Sequence, residues 1–171
     1  MSKHIQRILI LGGPGSGKST LARAVANRLG LPCVHLDQIY WLPGWVEQTE
    51  GQIQAATRQA ADADCWVIEG NYSDSWEYRA ERANLIVSLD MPRGLRMWRI
   101  FKRTLRHYGQ SRPDMTPGCP ERMSWEFLRF AWGYDAEGRN KMTALLDRWQ
   151  ERRQVLCLGS RAEVRKFLDG I

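Results

Sequence analysis

The chain has 171 residues, of which 43% are hydrophobic, and this composition fits a globular domain with a buried core rather than a disordered chain. The formal net charge is +6, but residues 92–113 alone contain seven lysines and arginines and no acid, so the rest of the chain sums to −1. This distribution favours a local anion site over a generally basic surface. No apolar run approaches the roughly 18 residues of a membrane span, and no secretory signal pattern is visible, so we expect a cytoplasmic protein without a membrane partner.

Short apolar runs alternate with helical patterns along the whole chain. The runs that predict strands are residues 7–11, 33–36, 65–68, 85–89 and 155–158. The patterns that predict helices are residues 18–29, 52–63, 93–107, 124–132, 140–152 and 162–168. Alternation of this kind predicts an α/β fold with a parallel five-stranded sheet, right-handed crossovers and helices on both faces. We expect residues 1–171 to form a single domain.

A glycine-rich loop, residues 12–20, follows the first predicted strand and opens the first predicted helix. Its sequence, Gly-Gly-Pro-Gly-Ser-Gly-Lys-Ser-Thr, has Walker A spacing. Glycines let backbone N–H groups converge on phosphate oxygens, and the helix adds its positive dipole end. A turn that merely joins strand to helix would not explain Lys-Ser-Thr at this offset. We therefore predict nucleoside triphosphate binding through Gly13, Pro14, Gly15, Ser16, Gly17, Lys18, Ser19 and Thr20.

Within this loop, Lys18 is positioned to reach the β- and γ-phosphates, and the Ser19 hydroxyl to ligate Mg²⁺. Two carboxylates follow later strands, where ligands of parallel sheets gather. Glu69 directly follows an apolar run, and Mg²⁺ is a natural partner for a carboxylate there, although a turn or helix-capping acid is the alternative. Asp37 is a candidate to orient an acceptor hydroxyl and take its proton, with a helix N-cap as the alternative.

The basic segment reads as a helix with an arginine stripe. At 100° per residue, Arg96, Arg99, Arg103 and Arg106 lie on one face, and we expect the apolar residues on the remaining faces to be packed. Like charges at this spacing repel unless an anion neutralises them, so the stripe favours phosphate binding, with a solvated surface as the alternative. Residues 109–121, rich in proline and glycine, read as a lid or an ordinary surface loop, and the neighbouring arginines favour the lid.

An aromatic patch lies just beyond Asp37. Tyr40, Trp41 and Trp45 fall within six residues, together with Pro43. Aromatic side chains often line small-molecule pockets, so the patch is either a wall for a planar or sugar-like acceptor or a satellite hydrophobic cluster.

Taken in order, these motifs resemble the adenylate-kinase-like branch of P-loop phosphotransferases, and within it the bacterial DNA topology modulation proteins. The resemblance is carried by residues 12–20, His35-Leu-Asp-Gln-Ile-Tyr-Trp41, Val67-Ile-Glu-Gly-Asn-Tyr72, Leu89-Asp-Met-Pro-Arg93 and Arg112-Pro-Asp-Met115. It implies a three-layer fold with sheet order 2-3-1-4-5, ATP with Mg²⁺, and a closing lid that supplies arginines. Glu69-Gly70 stands where nucleotide kinases carry Asp-Gly, and Ser160-Arg161 loosely matches the adenine-side loop, which makes Arg161 a nucleotide-binding candidate.

The expected function is transfer of the ATP γ-phosphoryl group to a small hydroxyl-bearing or nucleotide-like acceptor. Lys18, Asp37, Arg99, Arg103 and Arg112 are the candidate catalytic residues, and Ser19 and Glu69 the candidate metal ligands. A nucleic-acid-associated regulatory ATPase is the alternative, because the net charge and the resemblance both allow it, although no nucleic-acid-reading motif is present.

Overall fold

A computed structural model describes residues 5–171. Its strands are Arg7–Gly12 (β1), Cys33–His35 (β2), Trp41–Leu42 (β3), Val46–Glu47 (β4), Trp66–Glu69 (β5), Leu85–Leu89 (β6) and Gln154–Leu158 (β7). Its α-helices are Lys18–Leu29 (α1), Leu36–Tyr40 (α2), Glu50–Ala61 (α3), Trp76–Arg82 (α4), Arg93–His107 (α5), Trp125–Trp149 (α6) and Arg161–Asp169 (α7). No helix in the described range combines the length and apolarity needed to cross a bilayer.

Five of the strands form one parallel sheet in the order β2-β5-β1-β6-β7. Counted along the chain within this sheet, the order is 2-3-1-4-5, which confirms the expected topology. The central strand β1 pairs Ile10 with Glu69 of β5 and with Val87 of β6. The register therefore sets Glu69 beside the strand that leads into the glycine-rich loop.

The sheet is covered on both faces, as its continuous apolar strands predict. Ile8 and Ile10 belong to a core cluster with Val25 of α1 and Phe167 of α7. The alternate residues of β1 pack on the other face, in a cluster with α4 and α6 that includes Trp76 and Leu145. The expected three-layer architecture is confirmed.

The C-terminal helices differ from the prediction. Residues 125–149 form one helix, whereas the sequence predicts two helices separated near Gly133 and Gly138. Gly138 stacks against the ring of Tyr134, and a Cβ atom at that position would clash with it. This glycine therefore permits close packing inside α6 rather than a break in it. The short helices α2 and α4 and the β3–β4 hairpin (residues 41–47) are absent from the prediction, because segments of two to seven residues carry too little periodicity.

Helix α5 is oriented only partly as expected. Ile100 is buried and Arg99 and Arg103 line the open cleft, as the prediction requires. However, Arg96 is only 2% exposed, whereas Trp98, Phe101 and Leu105 are 57%, 44% and 62% exposed. The prediction is therefore wrong for Arg96 and for these three apolar side chains. The reason is that α5 lies against the glycine-rich loop, whose carbonyl oxygens hydrogen-bond guanidinium groups and so make their burial favourable.

Candidate active site

The glycine-rich loop is shaped by its own backbone. The Ser16 N–H donates to the Gly13 carbonyl at 3.1 Å, and the Lys18 ammonium donates to the same oxygen at 3.2 Å. Gly15 and Gly17 have φ values of 74° and 103°, which disfavour any side chain. These two glycines let the chain turn into α1, whose first residue is Lys18.

Two arginines of α5 donate hydrogen bonds to carbonyl oxygens of this loop. Arg96 donates to the Pro14 carbonyl at 3.3 Å and to the Met91 carbonyl at 3.2 Å, and it forms an ion pair with Asp135 of α6. Arg99 donates to the Ser16 carbonyl at 2.6 Å. Arg96 therefore positions the loop from within the protein, and Arg99 is the first arginine of the stripe that lines the open side.

The loop borders a cleft of about 1420 Å³ that gathers most of the candidate residues. The lining residues that the sequence singled out are Pro14, Gly15, Ser16, Gly17, Lys18, Ser19, Thr20, Asp37, Glu69, Arg99, Arg103, Arg112 and Arg161. Arg161 is exposed at the start of α7 and lies close enough to Arg99 that its charge, after burial, helps lower the pKa of Arg99. Residues from six separate stretches of the chain thus meet at the carboxyl edge of the sheet, as expected for this fold class.

Asp37 lies in the first turn of α2, where the Tyr72 hydroxyl donates to its carboxylate at 3.0 Å. Burial and the nearby Glu69 charge raise the pKa of Asp37, although Lys18 and Tyr72 oppose the shift. Burial also lowers the pKa of Lys18, against the attraction of Glu69 and Asp37. The three groups are therefore electrostatic neighbours, and Asp37 has the raised proton affinity that suits a general base.

Glu69 is 3% exposed and has a partner that the sequence analysis missed. The His35 ring lies on the neighbouring strand, with Nδ1 2.7 Å from the Glu69 carboxylate and Nε2 3.6 Å from the Cys33 thiol. The register pairs His35 directly with Glu69. Strand adjacency combined with the β2 motif is the signal that would have found this pair, because both residues end neighbouring parallel strands.

The segment that reads as a lid, residues 109–121, folds over the cleft through ion pairs. Asp114 accepts from Arg112 at 2.7 Å and from Arg23 of α1 at 3.1 Å. Glu121 lies 2.7 Å from Arg112 and accepts from Arg103 at 3.1 Å. Two of the arginines expected to face phosphates are thus held by carboxylates of the same segment.

The same segment is also attached to the β3–β4 hairpin. The Thr116 hydroxyl donates to the Trp41 carbonyl at 2.6 Å, and the Gly44 N–H donates to the Gly118 carbonyl at 2.8 Å. The Trp45 indole donates to the Pro120 carbonyl at 3.0 Å. The hairpin and residues 109–121 therefore form one continuous roof over the side of the cleft that contains Asp37.

The residues present fit a magnesium nucleotide. A Cβ on Gly13 would lie 2.6 Å from the Arg96 guanidinium, so this glycine lets the back of the loop pack directly on α5. The Ser16 hydroxyl is buried without a hydrogen-bond partner among residues 5–171. Within the same range, no three His, Cys, Asp or Glu side chains form a metal cluster of their own. A cation here would take its ligands from Ser19, from Glu69 directly or through water, and from the phosphates, as Mg²⁺ commonly does.

Comparisons with known proteins agree with this architecture. The model of the ATPase family associated with various cellular activities (AAA) matches residues 8–68, the stretch from β1 into β5 that contains the glycine-rich loop. The uncharacterised protein YqaC of Bacillus subtilis (strain 168) is 29% identical over 154 residues, which cover 87% of this chain and 83% of YqaC.

Solved structures with lower sequence identity to this chain have the same fold. A gluconokinase from Sinorhizobium meliloti 1021 aligns with a TM-score of 0.53 and 16% identity, covering 99% of this chain and 97% of its own. A shikimate kinase from Acinetobacter baumannii in complex with shikimate aligns with a TM-score of 0.51 and 17% identity, covering 98% and 91%. The chain therefore has the fold of the P-loop kinases, which confirms the resemblance to adenylate-kinase-like proteins. The narrower resemblance to DNA topology modulation proteins stays a prediction.

Proposed function

We propose that this protein is an ATP-dependent phosphotransferase that moves the γ-phosphoryl group of Mg²⁺-ATP to a hydroxyl of a small acceptor. The observation that carries the proposal is the convergence of Lys18, Asp37 and Glu69 with the glycine-rich loop in one cleft. The gluconokinase and the shikimate kinase that share the fold are small-molecule kinases by name. Their acceptors are theirs alone, and the acceptor of this chain is a separate question.

In this proposal each residue has one role. The loop N–H groups, Lys18 and Arg161 bind the nucleotide, and Ser19 with Glu69 holds Mg²⁺, which supplies charge neutralisation to the phosphates when bound. Asp37 orients the acceptor hydroxyl and takes its proton, consistent with its raised pKa. Arg99, Arg103 and Arg112 stabilise the charge of the transferring group. Residues 109–121 act as the lid that excludes water, within a single domain spanning residues 1–171.

The test is acceptor-dependent release of ADP. Purified protein is mixed with ATP, Mg²⁺ and each member of a panel of sugars, cyclitols and nucleosides, and ADP is measured by a coupled assay. At least one acceptor should raise the rate well above the acceptor-free rate. Equal ADP release with every acceptor would instead identify a plain ATPase and contradict the proposal.

Two variants test whether the measured ADP release comes from this site rather than from a contaminating ATPase. Lys18→Ala should lower kcat at least about 100-fold, because it removes a charge that stabilises the transition state, while the melting temperature stays near that of the wild type. Asp37→Asn should lower kcat while the affinity for ATP, measured by calorimetry, stays within about threefold. Unchanged turnover in Lys18→Ala would show that the glycine-rich loop is not the active site.

The second candidate, a nucleic-acid-binding ATPase, is favoured by the outer face of α5 and α6. Trp125 and Trp132 are 80% and 58% exposed and line a groove with Met97, beside Arg129. Arg129 forms no ion pair within residues 5–171. Aromatic rings beside a free cation suit stacked bases and backbone phosphates. Binding of a single-stranded oligonucleotide at about 50 mM salt, weakened by Trp132→Ala, would support this candidate, and no binding would eliminate it.

A further inference from the structure

The inner end of the cleft, where Asp37 lies, contains two buried polar atoms without a partner. Trp76 is 6% exposed and lines the cleft, and its indole Nε1 has no hydrogen-bond acceptor among residues 5–171. The Asn71 side chain also lines the cleft, and its buried Oδ1 has no donor in the same range. Buried polar groups are normally hydrogen-bonded, so an unpaired donor and an unpaired acceptor in one cavity indicate contacts made by a ligand.

Aromatic side chains form the wall next to these atoms. Tyr40 stacks on Tyr72 with ring centroids 4.7 Å apart, and Trp41 meets the edge of Tyr40 at 4.9 Å. All three residues line the cleft. A wall of this kind presents an apolar surface to the flat face of a sugar, cyclitol or base, while Asp37 and Asn71 supply the polar contacts.

Apart from Lys18, which the proposed function assigns to the ATP phosphates, the buried cations near this end already have partners within the protein. Arg79 is fully buried and donates only to the 70–75 loop, including the Gly70 carbonyl at 2.9 Å. Arg23 is paired with Asp114, and Arg112 with both Asp114 and Glu121. Arg122 also lines the cleft, but it is exposed above the Trp45 ring, where water screens its charge. With Glu69 paired to His35 and Lys18 bound to ATP, an anionic acceptor would therefore meet the Asp37 carboxylate without a further buried, unpaired cation among residues 5–171 to offset it.

We propose that the phosphoryl acceptor is a polyhydroxylated ring or chain without a carboxylate or phosphate group, bound through Trp76 Nε1, the Asn71 amide and the aromatic wall of Tyr40 and Tyr72. This inference rests on the proposed kinase function and narrows its substrate class. It separates this chain from kinases of acidic acceptors that share its fold. A sugar, a cyclitol and a nucleoside could each make these contacts, so the experiment must distinguish these three classes of acceptor.

The experiment compares matched acceptors that differ in their anionic group. The pairs are D-glucitol with D-gluconate, methyl shikimate with shikimate, and adenosine with AMP, supplemented by any acceptor found in the panel above and its acidic counterpart. For each pair that supports ADP release, kcat/KM should be at least about tenfold higher for the uncharged member, and the pair that does so identifies the source. Higher kcat/KM for the acidic members would overturn the inference while leaving the kinase function intact. Absence of acceptor-stimulated release throughout would overturn both.

Two variants test the assigned contacts. Trp76→Phe removes the indole donor and should raise KM for the uncharged acceptor roughly three- to tenfold, with KM for ATP unchanged. Trp149→Phe is the matched control, because the Trp149 indole donates to Glu77 outside the cleft. An equal effect of both changes on acceptor KM, or no effect of the first, would contradict the role of Trp76.

Asp114→Asn tests the account of the cations. It releases Arg23 and Arg112 from a shared carboxylate and should shift the preference toward the acidic member of each pair by about tenfold or more. The ratio of the two kcat/KM values is the readout, since it is insensitive to a general loss of activity. An unchanged ratio would show that these ion pairs do not set the charge preference of the site.

Discussion

His35 and Glu69 show how a single neighbour changes the chemistry of a buried carboxylate. Burial disfavours the charged imidazole, but hydrogen bonds to Cys33 and Glu69 and the charge of Glu69 outweigh burial and raise the pKa of His35 to about 10. The sequence indicates that Glu69 needs a partner and points to Mg²⁺. His35 is missed although the expected strand order already places its strand beside that of Glu69, because the register that pairs the two residues cannot be determined from the strand sequences alone.

We expect this pair to make stability depend on pH in the protein without divalent metal. The pKa of histidine is about 6.5 in an unfolded chain and about 10 in this fold. The stabilisation is therefore fully present below about pH 6.5 and is lost as the pH rises through about 10. The free energy of unfolding, measured with urea in EDTA, should fall across this range in the wild type and fall less in His35→Gln. Identical pH profiles would contradict the assignment.

At the scale of elements, α5 reverses the usual relation between charge and exposure. An arginine in a surface helix normally points to solvent. The spacing of residues along α5 cannot reveal that the Pro14 carbonyl and the Asp135 carboxylate are available to pair with Arg96 inside the protein. The sequence does predict the bounds of α5 correctly, since its helical pattern runs over residues 93–107. Helix position follows from periodicity, whereas the buried face depends on tertiary partners.

Asp135→Ala should destabilise the fold by about 3 kcal/mol, because it leaves the buried Arg96 guanidinium without its carboxylate. Asp147→Ala is the matched control on the same helix, since Asp147 is exposed, and its effect should stay within about 0.5 kcal/mol. Urea unfolding monitored by tryptophan fluorescence measures both values. Equal effects of the two changes would show that the ion pair with Arg96 does not contribute.

The close packing of the glycine-rich loop against α5 can be tested at Gly15. Gly15→Ala places a Cβ against the Arg96 carbonyl at a positive φ of 74°, so the loop must move, and affinity for Mg²⁺-ATP should fall at least about tenfold. Gly94→Ala, where a Cβ meets nothing within 4 Å, should leave the affinity unchanged. Calorimetric titration compares the two, and wild-type affinity in Gly15→Ala would show that the loop tolerates displacement.

At the scale of the whole molecule, the sheet could be predicted and the roof of the cleft could not. Five apolar runs with intervening helices specify a parallel sheet, and the order followed from the resemblance. The roof is built from hydrogen bonds between irregular segments about 75 residues apart, such as Thr116 with Trp41 and Trp45 with Pro120. Such contacts leave no periodic pattern in the sequence. The orphan atoms of Asn71 and Trp76 are likewise visible only in three dimensions.

Thr116→Val should loosen this roof. It removes the hydroxyl that donates to the Trp41 carbonyl, a hydrogen bond worth about 1 kcal/mol, so amide hydrogen exchange in residues 109–121 should quicken roughly fivefold. Thr143→Val is the control, because its hydroxyl donates within α6 to the Arg139 carbonyl. Exchange that stays slow in Thr116→Val would show that the segment is held in place by its other hydrogen bonds and ion pairs.

The contacts that Arg96 makes with Pro14 and Asp135 also have a consequence for folding during synthesis. The glycine-rich loop is synthesised before the carboxylate that anchors Arg96, because Asp135 lies more than a hundred residues later in the chain. A nascent polypeptide truncated before α6 would contain every residue of the glycine-rich loop but would lack Asp135, which holds Arg96 against that loop. We therefore expect nucleotide binding only after α6 has been synthesised, and pulldown of stalled chains on immobilised ATP should succeed only after residue 135 has emerged.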